Sequence, residues 1–297
     1  MTVYPAAGTT SLASWRRVGA DRHRSLAQRG RAVVAQELAV VTGASSGIGR
    51  ATAVQLAARG WRVVAVARRR DRLEQLAAQA AAVGAGEVVV EALDGADAEA
   101  VAAMATRVQE RYGTPGAIVN SAGAGVWRWP EDTPPALMEQ LLDAPFRSAY
   151  HVTYGFLGPM LAAGSGVIVH VGSPASFVVW PSSTGYSISR WALRGLHESL
   201  LQDLHGTGVH SCHVLFGEVT SEYFEVNPDS WEHAPWLGKL IPSITPSEAA
   251  EVIVRTLSRP RALVLHPRVL RLQFGLFRVA PGTVRRMVRA TGRQRVT

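Results

Sequence analysis

The feature that most restricts the fold of this 297-residue chain is an alternation of short apolar runs with longer helical stretches. The apolar runs are predicted as strands at Leu38–Thr42, Arg62–Ala67, Glu87–Ala92, Ala117–Asn120, Val167–Val171, Val209–Phe216 and Ala262–Leu265. Helices are predicted between them, near 47–59, 71–82, 97–112, 135–162, 185–205 and 246–258. Strands that are apolar along their length and separated by helices favour a parallel sheet covered on both faces. We therefore predict one doubly wound α/β domain with about seven strands.

Composition excludes several classes of protein. Hydrophobic residues make up 47% of the chain and charged residues 18%, which excludes disorder over most of its length. Cys212 is the only cysteine, so an internal disulfide is excluded. The sequence contains neither a run of about 18 apolar residues nor the apolar centre of a secretory signal. We therefore expect a soluble, cytoplasmic protein.

The net charge of +8 is concentrated at the two ends of the chain. Residues 1–35 contain six arginines and one acidic residue, and residues 261–297 contain nine arginines and none. Because the body between them is mildly acidic, no nucleic-acid partner is expected. We predict a flexible basic extension over 1–36, a folded domain over 37–267 and a basic C-terminal extension over 268–297.

A glycine-rich segment joins the first predicted strand to the first predicted helix. It reads Thr42-Gly43-Ala44-Ser45-Ser46-Gly47-Ile48-Gly49. Glycines let the backbone turn tightly and approach a pyrophosphate, whose charge the N-terminus of the following helix meets. The segment resembles the fingerprint of the classical short-chain dehydrogenases/reductases, and the resemblance extends from about Leu38 to Pro267. It implies a Rossmann-type domain that binds a nicotinamide dinucleotide.

The end of the second strand favours NADP(H) over NAD(H). An acidic residue at this point would bind the ribose 2′-hydroxyl of NAD, but the chain has Ala67 followed by Arg68. A guanidinium suits a 2′-phosphate instead. The cofactor-binding residues implied by the resemblance are Thr42, Gly43, Ser45, Ser46, Gly47, Ile48, Gly49, Arg68, Asp94, Asn120, Ala122, Gly123, Tyr186, Arg190, Gly217, Val219 and Ser221.

The catalytic residues implied by the resemblance follow the fifth strand. Ser173 ends that strand, and Tyr186-Ser187-Ile188-Ser189-Arg190 is similar to the family's Tyr-x-x-x-Lys motif. Ser173 would orient a substrate carbonyl while Tyr186 donates a proton as hydride arrives. Tyr186 and Arg190 are four residues apart on one predicted helix, so the cation is expected beside the phenol.

Two positions depart from the family pattern. Arg190 stands where the family has lysine, and a guanidinium supplies the charge but does not readily release a proton. The family's catalytic asparagine falls at Pro145, which frees the carbonyl of Leu141 and kinks the helix but supplies no amide. One interpretation is an NADPH-dependent carbonyl reductase or alcohol dehydrogenase with a modified proton relay. The other is a non-redox enzyme of this fold (dehydratase, isomerase or cyclase) or a nucleotide-sensing binding protein.

Bulky aromatic residues follow the carboxyl ends of several predicted strands, where ligands bind in this fold. They favour a bulky apolar or aromatic small-molecule substrate, although packing against the core or a subunit interface explains them equally well. The candidate substrate contacts are Trp127, Trp129, Trp180, Tyr223 and Trp231. The histidines show no metal-ligand spacing, so no metal is expected.

The C-terminal segment has two interpretations. Arg271, Arg278 and Arg285 recur every seven residues among apolar side chains, which is typical of a basic segment on an anionic membrane. Pro281-Gly282 interrupts the run and favours helices packed over the substrate cleft or a partner subunit, with the arginines outward. A homodimer or homotetramer, formed through the helix of the catalytic tyrosine and the helix before it, is implied by the resemblance.

Overall fold

A single parallel sheet organises the described part of the chain, in the spatial order β3-β2-β1-β4-β5-β6-β7. The strands are β1 Leu38–Thr42, β2 Arg62–Ala67, β3 Glu87–Ala92, β4 Ala117–Asn120, β5 Gly166–Gly172, β6 Val209–Phe216 and β7 Leu263–His266. β5 extends one residue beyond the prediction at each end, and β7 is shifted by one residue. The predicted doubly wound α/β fold is confirmed. The strand order reverses between β1 and β4, so a crevice opens at their carboxyl ends.

Helices cover both faces of the sheet. They are α1 Gly47–Ala58, α2 Arg70–Val83, α3 Ala98–Tyr112, α4 Pro135–Leu142, α5 Ser148–Ala163, α6 Thr184–Asp203, α7 Trp236–Lys239, α8 Pro246–Ser258, α9 Val269–Val279 and α10 Pro281–Thr291. Leu56, Leu73 and Ile253 bury the faces of α1, α2 and α8 against one side of the sheet. Met104 and Phe156 do the same for α3 and α5 on the other side, where α6 also packs. Within the described ranges, no helix is both long and apolar enough to cross a bilayer.

This computed structural model describes residues 37–83, 86–123, 125–222, 233 and 235–295. The predicted basic extension over 1–36 lies outside the described residues. The described residues from 37 onward belong to one compact unit, which includes the C-terminal helices.

The long helix predicted over 135–162 is interrupted at its proline. Asp143–Arg147 forms a π-helical turn between α4 and α5, and Pro145 is buried within it. Proline lacks the N–H that an α-helix requires and its ring displaces the preceding turn. The expected break in the helix is therefore present at Pro145, while the correspondence of Pro145 to the family's asparagine stays a prediction.

The C-terminal segment forms two helices, which are missing from the predicted ranges above but agree with the second interpretation of this segment. α9 buries Leu270 and α10 buries Val284 and Val288 against the rest of the domain. The ring of Phe274 on α9 meets Phe177 edge to face, with 4.4 Å between the ring centroids. Of the two interpretations of this segment, the structure shows the helices packed over the carboxyl end of the sheet.

Candidate active site

A cleft of about 940 Å³ opens at the carboxyl ends of the strands. It extends from the β1–α1 turn and the end of β2, past the ends of β4 and β5, to α9 and α10. The structure brings most of the predicted site residues together in its lining. They are Thr42, Gly43, Ser45, Ser46, Gly47, Ile48, Gly49, Arg68, Asp94, Ala122, Gly123, Trp127, Ser173, Trp180, Tyr186, Arg190, Gly217, Val219 and Ser221.

Two other predicted residues are placed differently. Asn120 is buried behind the lining, where its Nδ2 donates to Thr153 Oγ1 at 3.2 Å. Trp129 lies outside the lining, with the guanidinium of Arg295 4.8 Å from the centre of its ring. Tyr223 and Trp231 lie outside the described residues.

Close backbone packing forms the turn between β1 and α1, residues 42–49, which we call the phosphate turn. Gly43 has a φ of +66°, and a Cβ there would stand 2.8 Å from the backbone of Ala122. A Cβ at Gly49 would collide with the carbonyl oxygen of Gly43. Thr42 Oγ1 accepts hydrogen bonds from the N–H groups of Ser121 and Ala122, at 3.1 and 3.0 Å. These contacts require glycine at both positions, and they leave the N-terminus of α1 open to an anion.

An arginine cluster stands beside this turn. Arg68 and Arg69 both line the cleft, and Arg69 Nη2 donates to Ser45 Oγ at 3.1 Å. The Glu222 carboxylate lies 3.8 Å from the guanidinium nitrogens of both Arg69 and Arg72. These side chains are about half exposed, so both pairs are weak in water. Arg68 was predicted from the sequence, whereas Arg69 and Glu222 were not, although the run of arginines after β2 indicated this part of the chain.

Tyr186 and Arg190 form a buried pair at the floor of the cleft. Their exposed fractions are 8% and 7%, and the Arg190 guanidinium carbon lies 4.8 Å from the centre of the Tyr186 ring. Both positions lie on α6, one turn apart, as the spacing predicts. A Cβ at Gly123 would stand 3.1 Å from Arg190 Nη2, so the glycine gives this large side chain its room.

Ser173 directly follows β5 and lines the same cleft as Tyr186 and Arg190. Its hydroxyl accepts a hydrogen bond from the N–H of Ala175 at 3.3 Å, which caps the short 3₁₀ turn Pro174–Ser176. This bond uses the oxygen as an acceptor, so the hydroxyl hydrogen remains a donor for a bound ligand.

Two indoles enclose the phenol of Tyr186. The ring centroid of Trp127 lies 5.4 Å from that of Tyr186, Trp180 lies 6.3 Å away, and the two indoles are 5.1 Å apart. The Nε1 atoms of both indoles are buried without a hydrogen-bond partner. Such buried donors are rare in folded proteins, so a ligand with an acceptor atom would satisfy them.

A buried polar layer lies between α6 and the sheet. It consists of His170, His197, His213 and Ser211, with Asn120 at its margin. His197 Nδ1 and Ser211 Oγ form a hydrogen bond of 2.8 Å, and Asn120 Nδ2 lies 3.3 Å from His170 Nδ1. The ring of His197 is 6.1 Å from that of His170 and 5.3 Å from that of His213. A Cβ at Gly172 would collide with His213 Nε2, so the imidazole fills the space left by this glycine.

Burial keeps these imidazoles neutral. Desolvation, followed by the neighbouring His197, lowers the pKa of His170 to about 3. Desolvation likewise lowers the pKa of His197, and it places the pKa of His213 well below the ordinary value. All three side chains are therefore uncharged at neutral pH.

The single cysteine has no reactive environment. Burial raises the pKa of Cys212 to about 11, so its sulfur remains a thiol. Across the described ranges, no group of three or more His, Cys, Asp or Glu side chains is arranged to hold a metal ion.

Comparison with known proteins agrees with this architecture. The family model of the short chain dehydrogenases matches residues 37–230. The chain belongs to this family. A protein of Mycobacterium tuberculosis, named only as an uncharacterized oxidoreductase, is 34% identical over 242 residues, which cover 80% of this short-chain dehydrogenase and 91% of the relative.

Two solved structures share the fold of this short-chain dehydrogenase. A metagenomic short-chain oxidoreductase in complex with NADP superposes with a TM-score of 0.65 at 29% identity, covering 77% of this chain and 96% of that one. An alcohol dehydrogenase of Thermococcus sibiricus, complexed with 5-hydroxy-NADP, gives a TM-score of 0.67 at 26% identity, covering 77% and 94%. The resemblance to the oxidoreductase family is confirmed. The roles of Arg190 and Pro145 remain predictions.

Proposed function

We propose that this short-chain dehydrogenase uses NADP(H) to interconvert a carbonyl and an alcohol on a bulky apolar or aromatic substrate. The observation that carries the proposal is the buried pair of Tyr186 and Arg190 in one cleft with Ser173 and the phosphate turn. A proton donor, a cation and an orienting hydroxyl are the groups that carbonyl reduction requires from the protein.

The residues at the phosphate turn fit a phosphorylated dinucleotide. The glycine contacts leave the N-terminus of α1 facing the cleft, and Ser45, Arg68 and Arg69 surround the place where a 2′-phosphate would bind. The NADP named with one solved relative and the 5-hydroxy-NADP named with the other support the same choice. When bound, the nicotinamide supplies or accepts a hydride at the substrate carbon.

The side chains of the catalytic cluster each have one role in the proposal. Ser173 donates its hydroxyl hydrogen to the substrate oxygen and holds it toward the phenol. Tyr186 gives its proton to that oxygen in reduction and takes it back in oxidation. Arg190 keeps a fixed positive charge beside the ring and stabilises the phenolate left on Tyr186. Because arginine holds its own proton, it acts as a cation and does not take part in a proton relay.

The walls of the cleft favour a bulky substrate. Trp127 and Trp180 flank the phenol, while Leu270, Phe274 and Val284 from the C-terminal helices line the outer part. Apolar walls bind apolar groups by removing them from water. The buried indole N–H groups favour a substrate with an acceptor oxygen near the reacting carbonyl.

A panel of bulky ketones and aldehydes tests the proposal through NADPH oxidation. We expect turnover by the native chain, and we expect Tyr186→Phe to reduce it by about a hundredfold to ten-thousandfold with NADPH affinity unchanged. Tyr112→Phe is the matched control, because this tyrosine at the end of α3 lies outside both the cleft lining and the helices α5 and α6. NADPH binding without oxidation of any substrate would favour the non-redox alternative, particularly if Arg190→Lys with Pro145→Asn created activity.

We also infer a homo-oligomer assembled through α5 and α6. Tyr150 and Tyr154 stack on the exposed face of α5, and Tyr154 is 75% exposed. Ile188 and Trp191 leave a similar apolar face on α6. Exposed apolar faces of this kind mark interaction surfaces. Light scattering should give a mass above that of the monomer, and Tyr154→Arg should lower it.

A further inference from the structure

Helix α9 has apolar residues on two opposite faces. Leu270 and Phe274 face the domain, where Leu270 is buried and Phe274 packs on Phe177. The opposite face carries Leu272, Leu276 and Val279, which are 76%, 48% and 86% exposed. We call these three residues the outer stripe. Their spacing of i, i+4 and i+7 puts them in one row along the helix. A surface helix ordinarily carries polar residues on this face, so the outer stripe calls for an apolar partner.

The charged side chains of the segment that carries the outer stripe all have one sign. Residues 261–297 contain nine arginines and no lysine or acidic residue. The exposed arginines of the two helices and of the N-cap of α9 are Arg268, Arg271, Arg278, Arg285, Arg286 and Arg289. A surface that is both apolar and uniformly basic complements an anionic lipid surface.

The outer stripe borders the mouth of the cleft. Leu276 belongs to the stripe and also lines the cleft, as does the partly exposed Met287 of α10. The inner residues of the same helices form the outer part of the cleft wall. The apolar residues of the two helices therefore extend from the outer face of α9 into the lining of the cleft that holds Tyr186.

We propose that the outer stripe and its arginines dock this protein on a membrane rich in anionic phospholipids, with the mouth of the cleft toward the lipid. α9 has 11 residues and a length of about 16 Å, so it lies in the plane of the interface. The docking surface deepens the proposed function by giving lipid-dissolved carbonyl compounds or alcohols direct access to Tyr186.

Charge argues against two other occupants of this surface. A second copy of the chain would bring its own arginine-rich segment against the first, and like charges repel. The chain's own N-terminal segment is the other candidate occupant. Residues 1–35 carry six arginines and one acidic residue, so this segment would be repelled as well. An anionic bilayer offers apolar contact and opposite charge together.

Sedimentation of the full-length chain with phospholipid vesicles tests the proposal without cofactor or substrate. We expect binding to vesicles of phosphatidylcholine and phosphatidylglycerol at about 7:3 to be at least about tenfold stronger than to pure phosphatidylcholine. Equal binding to both compositions, or binding to neither, overturns the proposal.

Paired variants separate the apolar contribution from the charge. Leu272→Gln with Val279→Gln should weaken binding at least about tenfold, since burying each side chain contributes through its apolar area. The control Leu263→Gln changes a 37%-exposed leucine on β7 and should leave binding unchanged. Arg271→Gln with Arg278→Gln should weaken binding about 30-fold, at about 1 kcal/mol per arginine. Arg59→Gln with Arg111→Gln removes two exposed charges elsewhere and should change it much less.

The outcomes distinguish the docking surface from the proposed function. Undiminished vesicle binding by the Leu272→Gln, Val279→Gln variant overturns the docking surface, as does a change in this variant's oligomeric mass without a change in vesicle binding. Thermal melting checks that each variant remains folded. NADPH oxidation with a water-soluble bulky ketone is measured separately, so failure of one proposal leaves the other standing.

Discussion

The β1–α1 turn and the inner side of α6 line the same cleft, but one is built from backbone atoms and the other from side chains. Backbone forms the turn: Gly43 and Gly49 are in contact with other backbone atoms, and no side chain could fit. Side chains form the other wall, where Tyr186, Arg190 and the buried histidines fill the space between α6 and the sheet. The sequence-based prediction keeps the family pattern in the first region and departs from it in the second, and this difference in construction supplies a physical reason. A site made of backbone tolerates almost no substitution, whereas side chains of different shape can hold a similar charge in place.

The largest effect is expected from a substitution in the β1–α1 turn, which is built from backbone. Gly43→Ala forces a Cβ to 2.8 Å from the Ala122 backbone at a φ that favours glycine. We expect NADPH affinity to fall at least about a hundredfold and the free energy of unfolding to fall by about 1–3 kcal/mol. Calorimetric titration and thermal melting measure the two.

Gly195→Ala is the matched control for this substitution. A Cβ at this exposed position in α6 would stand in open space, so NADPH binding should be unchanged. Stability should stay the same or rise, because alanine is the better helix former. A similar response from both variants would show that the turn is not special.

The next effect concerns the side chains of α6. Arg190→Ala removes the charge beside Tyr186 and should lower kcat by about a hundredfold, whereas Arg190→Lys should retain most of it. Arg194→Ala, one turn along α6, removes a guanidinium that packs on Phe177 and donates to the carbonyl of Ser176. If Arg190→Ala lost no more activity than Arg194→Ala, Arg190 would be a structural residue.

A smaller effect is expected at Arg69, whose side chain contacts the β1–α1 turn. Arg69→Ala should weaken NADPH binding by about tenfold to a hundredfold while leaving NADH binding unchanged, since charged hydrogen bonds contribute about 1.5–3 kcal/mol. Glu222→Gln should strengthen NADPH binding a few-fold, because the carboxylate competes for the same guanidinium. Titration calorimetry with both nucleotides measures these changes.

Arg70→Ala is the control for the arginine cluster. Arg70 is exposed and its ion-pair contact is with Glu74 on the same helix, so its loss should leave NADPH and NADH affinities nearly equal to the native values. Loss of NADH binding in Arg69→Ala would indicate a general distortion of the turn.

The smallest effect is a pH dependence of stability from the polar layer. Unfolded histidine takes up a proton near pH 6.5, but buried His170 does so only near pH 3. Its neutral form therefore stabilises the fold above pH 6.5, and this contribution is lost as pH falls. Each such histidine should remove about 0.7 kcal/mol of unfolding free energy between pH 7 and pH 6.

Urea unfolding at the two pH values measures this slope. His170→Gln should reduce the loss of unfolding free energy between pH 7 and pH 6 by about 0.7 kcal/mol. His210→Gln, an exposed position on β6, should leave it unchanged. An unchanged slope in His170→Gln would mean that the imidazole is already charged in the native protein.

The sheet and the phosphate turn could be predicted because they depend on local pattern. Continuous apolar runs such as Val63–Val66 occur only where both faces of a strand are buried, and the glycine spacing follows from backbone approach. The π turn at Pro145 was half predictable: proline requires a break, but its geometry depends on the packing of α4 and α5.

The remaining features depend on tertiary placement. The sequence does not distinguish Arg68 from Arg69 at a strand end, because only the path of the following helix decides which side chain reaches Ser45. The polar layer left a usable signal, since His170 and, on the adjacent strand, Ser211 and His213 point to one face of the sheet. The C-terminal helices were less predictable, because their apolar residues serve two faces at once.

Because Gly172 and His213 are in contact on neighbouring strands, a substitution at either position limits what the other can accept. A larger residue at 172 cannot be accepted while the imidazole and the Leu215 side chain keep their places, and removing the imidazole first leaves a hole beside Ser173. Either single step is costly, so a lineage that left this arrangement would have to cross a fitness valley or change both codons together.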